Sequence, residues 1–154
     1  MDVGHLSPVE RTTLLTEYAR AVDARSPQPI LADHTADQTV RQIDYDFSSL
    51  GVTPSVRCLV ALRARMLDDR VRAHIAEHPH AVVVDLGAGL NSMVHRVDPP
   101  PTVDWYSVDL PGVIGLRDAV LPARPNAHHV AASVAEPGWC DGIPADRPTI
   151  VVAD

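Results

Sequence analysis

Two rhythms of apolar positions divide the chain near residue 80. In the first part, Leu14, Leu15, Tyr18, Ala21 and Val22 recur at three- and four-residue spacing, which lines one face of a helix. Ser7 stands as its N-cap, Pro8 at the first helical position and Glu10 where a capping box closes; Ser26-Pro27 ends the run. A weaker helix is predicted over residues 32–46, with Val40 and Ile43 as its core contacts. Thr53-Pro54 opens a longer one running to about Glu77, in which Leu59, Leu62 and Met66 and also Val60, Leu67 and Val71 repeat at helical spacing; Pro79 ends it.

From residue 81 short apolar runs alternate with turn residues. Strands are predicted at 81–86, 103–108, 127–131 and 149–153, with a helix from Pro111 to Leu121 and a bent connection at Pro99-Pro100-Pro101. Residues 136–148, with two glycines and three prolines, read as loop with one helical turn around Trp139. Strand, turn, helix, strand is the rhythm of a parallel sheet with crossover helices. The expected fold is therefore α/β and Rossmann-like: a helical cap over residues 1–80, then a sheet segment over 81–154 in which strands one and four flank the switch point. Thr149-Ile150-Val151-Val152-Ala153 reads as a strand buried on both faces.

The chemistry concentrates at Val82-Val83-Val84-Asp85-Leu86-Gly87-Ala88-Gly89, a buried-strand pattern ending in an acid and a Gly-x-Gly turn. Gly87 and Gly89 allow close approach of a ligand to the backbone, because a Cβ there would fill the ligand's space or forbid the turn. Asp109, ending the second strand run twenty residues after Gly89, stands where a ribose-binding carboxylate belongs in a nucleotide-binding βαβ unit. A Gly-x-Gly alone is also an ordinary strand-to-helix turn; the two strand-terminal acids, Asp85 and Asp109, favour a ligand, since such carboxylates are costly without a partner.

Two adenosine cofactors fit, a nicotinamide dinucleotide and S-adenosylmethionine. The dinucleotide fingerprint asks for a small third residue that packs the helix close and aims its N-terminus at pyrophosphate; that position is Ser92, and serine weakens the dinucleotide reading. S-adenosylmethionine has no phosphate, and its sulfonium is attracted to a carboxylate by roughly 3 kcal/mol at about 6 Å and an effective dielectric near 20. The acidic turn favours the cation.

Composition narrows the partners. All thirteen cationic side chains are Arg, scattered along a chain of net charge −7, so there is no basic stripe for nucleic acid. No apolar run approaches a membrane span, the N-terminus lacks a signal pattern, and Cys58 and Cys140 have neither metal nor redox spacing; a reducing cytoplasm is the expectation. His74 and His78 read as complements of a helix end rather than as metal ligands, and no metal site is expected. His128 and His129, adjacent in a strand, face opposite ways. Trp139 reads as a lid over the adenine side, with a plain core tryptophan as the alternative. Arg63 and Arg65, two apart on a helix, point to different sides and by themselves read as solvated charges.

Arg63-Ala64-Arg65, Leu86-Gly87-Ala88-Gly89-Leu90, Trp105-Tyr106-Ser107-Val108-Asp109-Leu110-Pro111, Val130-Ala131-Ala132-Ser133 and Pro137-Gly138-Trp139 together resemble the leucine carboxyl methyltransferase family, whose bacterial branch includes polyketide O-methyltransferases. The resemblance implies a class I methyltransferase fold, S-adenosylmethionine as methyl donor and a small-molecule acceptor methylated at a carboxylate or hydroxyl oxygen. It would place Arg63 on the methionine carboxylate, Gly87 along the cofactor, Asp109 on the ribose, Ser133 and Val134 beside the adenine, and Asp154 at the acid that ends strand four. Where the family pattern commonly continues Asp-Thr-Arg this chain has Asn91-Ser92-Met93, and Ser133 replaces a frequent Asp. The family pattern also extends past the position of Asp154, so the fold is expected to be C-terminally truncated, with an open edge inviting self-association or a partner chain through 149–154. The rival expectation is a catalytically silent cofactor-binding relative or half-domain; a nicotinamide-dependent oxidoreductase stands third.

Overall fold

The computed structural model describes residues 1–4 and 6–154. Helix α1 runs over Thr12–Ala24, α2 over His34–Gln42 and α3 over Pro54–Glu77. The capping box forms, with the Ser7 N–H donating to Glu10 Oε2 (2.9 Å) and the Glu10 N–H to Ser7 Oγ (3.3 Å). Residues 8–11 nevertheless make successive turns, and the regular helix begins only at Thr12. The helix expected over 32–46 is shorter, because Asp33 caps it by accepting the Ala36 N–H (3.0 Å) and Ile43 is already extended; a 3-10 turn, Phe47–Leu50, follows. Thr53 caps α3 as its position predicts, accepting the Val56 N–H.

The sheet segment contains β1 (Val82–Leu86), a short α4 (Met93–Val97), β2 (Asp104–Asp109), α5 (Pro111–Val120), β3 (Ala127–Ala131) and β4 (Thr149–Ala153). The strand order is β3-β2-β1-β4, and every pairing is parallel. The chain adds β2 and β3 on one side of β1 and then returns to add β4 on the other. The direction of winding therefore reverses between β1 and β4, and a crevice opens beyond their C-terminal ends, as in other doubly wound sheets.

The helical and sheet segments share one core. Leu14, Ala21, Ala36, Val40 and Phe47 pack in the same cluster as Leu90, Leu116 and Val120. A second cluster joins Val71 and Ile75 of α3 to Val83, Trp105 and Val152. β1 is buried on both faces through Val82, Val83 and Val84, each burial stabilising by about 1.5–3 kcal/mol.

Three expectations change. Helix α3 buries Val60, Ala61, Ala64, Val71 and Ile75, whereas Leu59, Leu62 and Met66 are exposed; the small Ala61 and Ala64, rather than the leucines, occupy the face turned to the interior. β4 is not buried on both faces: Val152 is buried but the alternating Thr149, Val151 and Ala153, which share the other face, are exposed. Residues 136–148 make turns without a helix, and Trp139, partly buried, packs with Ile143 against the cluster of Val82, Val84 and Val108 on the sheet. His128 and His129 do face opposite ways, His128 stacking on Tyr106 (4.8 Å between ring centroids) and His129 contacting Asp118. Among the described residues no helix is long and apolar enough to cross a membrane.

Candidate functional site

β1 delivers the chain into a turn in which Gly87 (φ +61°) and Gly89 (φ +51°) are both left-handed, a conformation that costs other residues about 1–2 kcal/mol. The two glycines serve different ends. A Cβ on Gly87 would meet nothing within 4 Å and would project into open space, whereas one on Gly89 would lie 2.5 Å from Thr13 Oγ1. Gly89 therefore permits helix α1 to press against the turn, and the contact is reinforced by the Leu90 N–H donating to Thr13 Oγ1 (2.7 Å).

Asp109 closes the turn from β2. One carboxylate oxygen accepts the Gly89 N–H and the other the Leu110 N–H, each at 2.7 Å, and the remaining lone pairs are directed by these two anchors. Beneath the turn lies Arg117 of α5, 1% exposed, which donates through one terminal nitrogen to the carbonyls of Ala88 (3.2 Å), Gly89 (2.7 Å) and Asn91 (3.0 Å) and through the other to Ser107 Oγ (3.1 Å). Hydrogen bonds from a charged group contribute about 1.5–3 kcal/mol each, so this guanidinium is a major element of the turn.

A cavity of about 270 Å³ lies over the turn, walled by Gly87, Ala88, Gly89 and Asp109, by Thr13, Thr16 and Arg20 of α1, by Arg63 of α3 and by Asp154. Five of the eight residues singled out in the sequence thus meet at one place: Arg63, Gly87, Gly89, Asp109 and Asp154. Arg63 Nε donates to Asp154 Oδ1 (2.5 Å), while Asp154 Oδ2 faces Arg20 and the Asn91 amide, each at 3.5 Å. Arg20 is buried and also pairs with Glu17 (2.7 Å). Asp154 is therefore held between two cations, one of which, Arg63, remains partly exposed at the cavity mouth.

Three of the eight do not reach this wall. Asp85 is 1% exposed, packed below the turn with neither carboxylate oxygen hydrogen-bonded. Burial raises its carboxyl to about 7, against the pull of Arg117 and with a further push from Asp154. Its expected place facing the crevice gives way because a side chain one residue before the strand end alternates into the interior. Ser133 and Val134 lie in the turn after β3, Val134 exposed; the Ala132 N–H donates to the Asp109 carbonyl and keeps that turn beside the end of β2.

The polar groups that the sequence reading passed over are buried ones. Asp33 caps α2 and also accepts Ser92 Oγ and an Arg96 nitrogen (2.7 Å each), and Arg96 grips both oxygens of Asp68 (2.8 and 2.9 Å). Although burial pushes the Asp33 carboxyl up, Arg96 and Arg20 outweigh it and hold it below the usual carboxylate range. Glu17 and Arg20, three residues apart among the buried positions of α1, were the visible signal of this network.

Residues 13–146 match the leucine carboxyl methyltransferase family. The tetracenomycin polyketide synthesis O-methyltransferase TcmP of Streptomyces glaucescens is 44% identical over 149 residues, covering 97% of this chain and 55% of that protein. An S-adenosyl-L-methionine-dependent methyltransferase of Gibberella zeae is 31% identical over 162 residues, covering 96% and 54%. The chain spans about half the length of these curated relatives. With the parallel β3-β2-β1-β4 sheet and a family match across nearly all of it, the chain belongs to the leucine carboxyl methyltransferase family, which uses S-adenosylmethionine.

Proposed function

We propose that this chain forms the S-adenosylmethionine site of an O-methyltransferase acting on a carboxylate or hydroxyl of a small, polyketide-like molecule. The observation that carries the reading is the convergence of Arg63, Gly87, Gly89, Asp109 and Asp154, from four separate segments, on one cavity at the strand ends. Its walls suit the cofactor's parts. Arg63 and Arg20 offer guanidinium to an amino-acid carboxylate. Asp154 and Asp109 supply negative charge to a cation and acceptors to ribose hydroxyls, and the bare Gly87 leaves room along the backbone. Bound there, the cofactor supplies an electrophilic methyl. The protein's part is alignment of an acceptor oxygen in line with it, which needs positioning more than a protein acid or base. The relative from Streptomyces glaucescens, a polyketide synthesis O-methyltransferase by name, supports the acceptor class.

Calorimetric titration with S-adenosylmethionine tests this. Wild type should bind, and Gly87→Ala should bind about tenfold or more weakly, because its Cβ would enter the cavity and φ +61° is strained for alanine. Absence of binding by wild type, or equal affinity of the variant, would remove the assignment.

We further propose that the open edge of β4 pairs with another chain in the isolated polypeptide. Val151 is 57% exposed on that edge strand. Light scattering should show association that Val151→Lys reduces; a monodisperse wild-type monomer would refute it.

A further inference from the structure

The residue that shapes the turn is itself absent from the cavity wall. Arg117 lines none of it, yet its two terminal nitrogens gather three carbonyls of residues 88–91 and the Ser107 hydroxyl. Those carbonyls include that of left-handed Gly89 and follow directly on left-handed Gly87, and the Gly89 N–H donates to the Asp109 carboxylate. A single buried guanidinium thus sets where the turn backbone lies on one side and where Asp109 points on the other.

We infer that Arg117 is a positioning residue for the cofactor: it holds Gly87-Ala88-Gly89 in the shape that presents the bare Gly87 backbone and the Asp109 carboxylate to the ligand. This deepens the proposed S-adenosylmethionine site and rests on it. The geometry is specific to arginine. A lysine ammonium is a point charge with three donors on one nitrogen and cannot span the carbonyl of Gly89 and the hydroxyl of Ser107 from two separate nitrogens.

Asp85 reports on the same guanidinium. It lies buried below the turn, faced by Arg117 from α5, Arg20 from α1, Arg96 from α4 and Asp154 at the end of β4. Arg117 is the largest influence favouring its ionised form, opposing burial. Removing the guanidinium therefore raises the pH at which Asp85 ionises.

The test is calorimetric titration of S-adenosylmethionine into wild type, Arg117→Lys, Arg117→Met and Ser107→Ala across pH, with the Asp85 carboxyl followed by carbon NMR. Arg117→Lys should bind about tenfold or more weakly while its circular dichroism is that of wild type. In Arg117→Met the Asp85 midpoint should move up, and the amide signals of Gly89 and Leu110, which donate to the Asp109 carboxylate, should shift. Affinity of Arg117→Lys within twofold of wild type, or unmoved Gly89 and Leu110 amide signals in Arg117→Met, overturns the inference, since the inference requires that the guanidinium set where the turn and the Asp109 carboxylate lie. If both Arg117 variants fail to fold, Ser107→Ala decides: about threefold weaker binding supports the inference and unchanged affinity overturns it. Binding by wild type with unaltered variants overturns this inference alone, whereas no binding by wild type overturns the cofactor reading and this one together.

Discussion

Asp109→Ala is expected to weaken S-adenosylmethionine binding by about 2 to 4 kcal/mol, which is roughly 30- to 1000-fold in affinity. Two losses add. The proposed ribose contacts go, each charge-assisted bond being worth about 1.5–3 kcal/mol. The Gly89 and Leu110 N–H groups also lose the carboxylate they share at 2.7 Å, so the turn loses an anchor as well as the ligand. Asp109→Asn separates the two: its amide oxygen can still accept one backbone N–H, so it should keep more of the turn while weakening the ligand contact. Titration calorimetry with circular dichroism as a control measures both. Affinity of the alanine variant within threefold of wild type, with an unchanged spectrum, would exclude Asp109 as a ligand.

Asp85→Asn should alter stability in a pH-dependent way. The folded state raises the Asp85 carboxyl from 3.8 to about 7. A raised carboxyl favours the proton in the folded state, so its stabilising contribution is complete below pH 4 and falls as pH rises to about 7, above which it is flat. Between pH 5 and pH 8 that loss amounts to about 3 kcal/mol. Asparagine cannot ionise and is spared it; its buried amide lacks partners, as the wild-type carboxyl does, and that cost does not change with pH. Relative to wild type the variant should therefore gain about 3 kcal/mol between pH 5 and pH 8. Urea unfolding at the two pH values reads this directly, and an equal difference at both would show that Asp85 does not titrate in that window. Asp33 runs the other way: its lowered carboxyl contributes stability that is lost only as pH falls into the acid range, so it does not mask the effect.

Much of the architecture was legible from local pattern. Strand, turn and helix followed one another from residue 81 as read, with strands 127–131 and 149–153 agreeing to the residue. Thr53-Pro54 marked the start of α3 because a threonine cap and a first-turn proline satisfy the same local requirement wherever they occur. The Gly-x-Gly turn and the acid twenty residues on could be read as neighbours at the strand ends, where they line one cavity, because backbone freedom and strand-end placement are local properties. Family resemblance added Arg63 and Asp154, which no local rule would have joined; they lie 91 positions apart and meet at 2.5 Å.

Tertiary structure decided what depends on facing neighbours. Whether α3 buries its leucines or its alanines turned on which face α1 approached, since both faces carry helical periodicity. β4 read as buried because an apolar run says only that a strand can be covered, while coverage is set by what lies beside it. Asp85 and Arg117 show the limit most sharply. The acid looked like a ligand and lies beneath the turn, while the arginine looked like one charge among thirteen and binds the turn's carbonyls. By itself the sequence determined the order of elements, the parallel α/β class and the position of the turn, since each follows from periodicity and backbone preference over a few residues. The burial of a charge follows from distant segments that desolvate it and supply its partners, and only the folded chain brings those together.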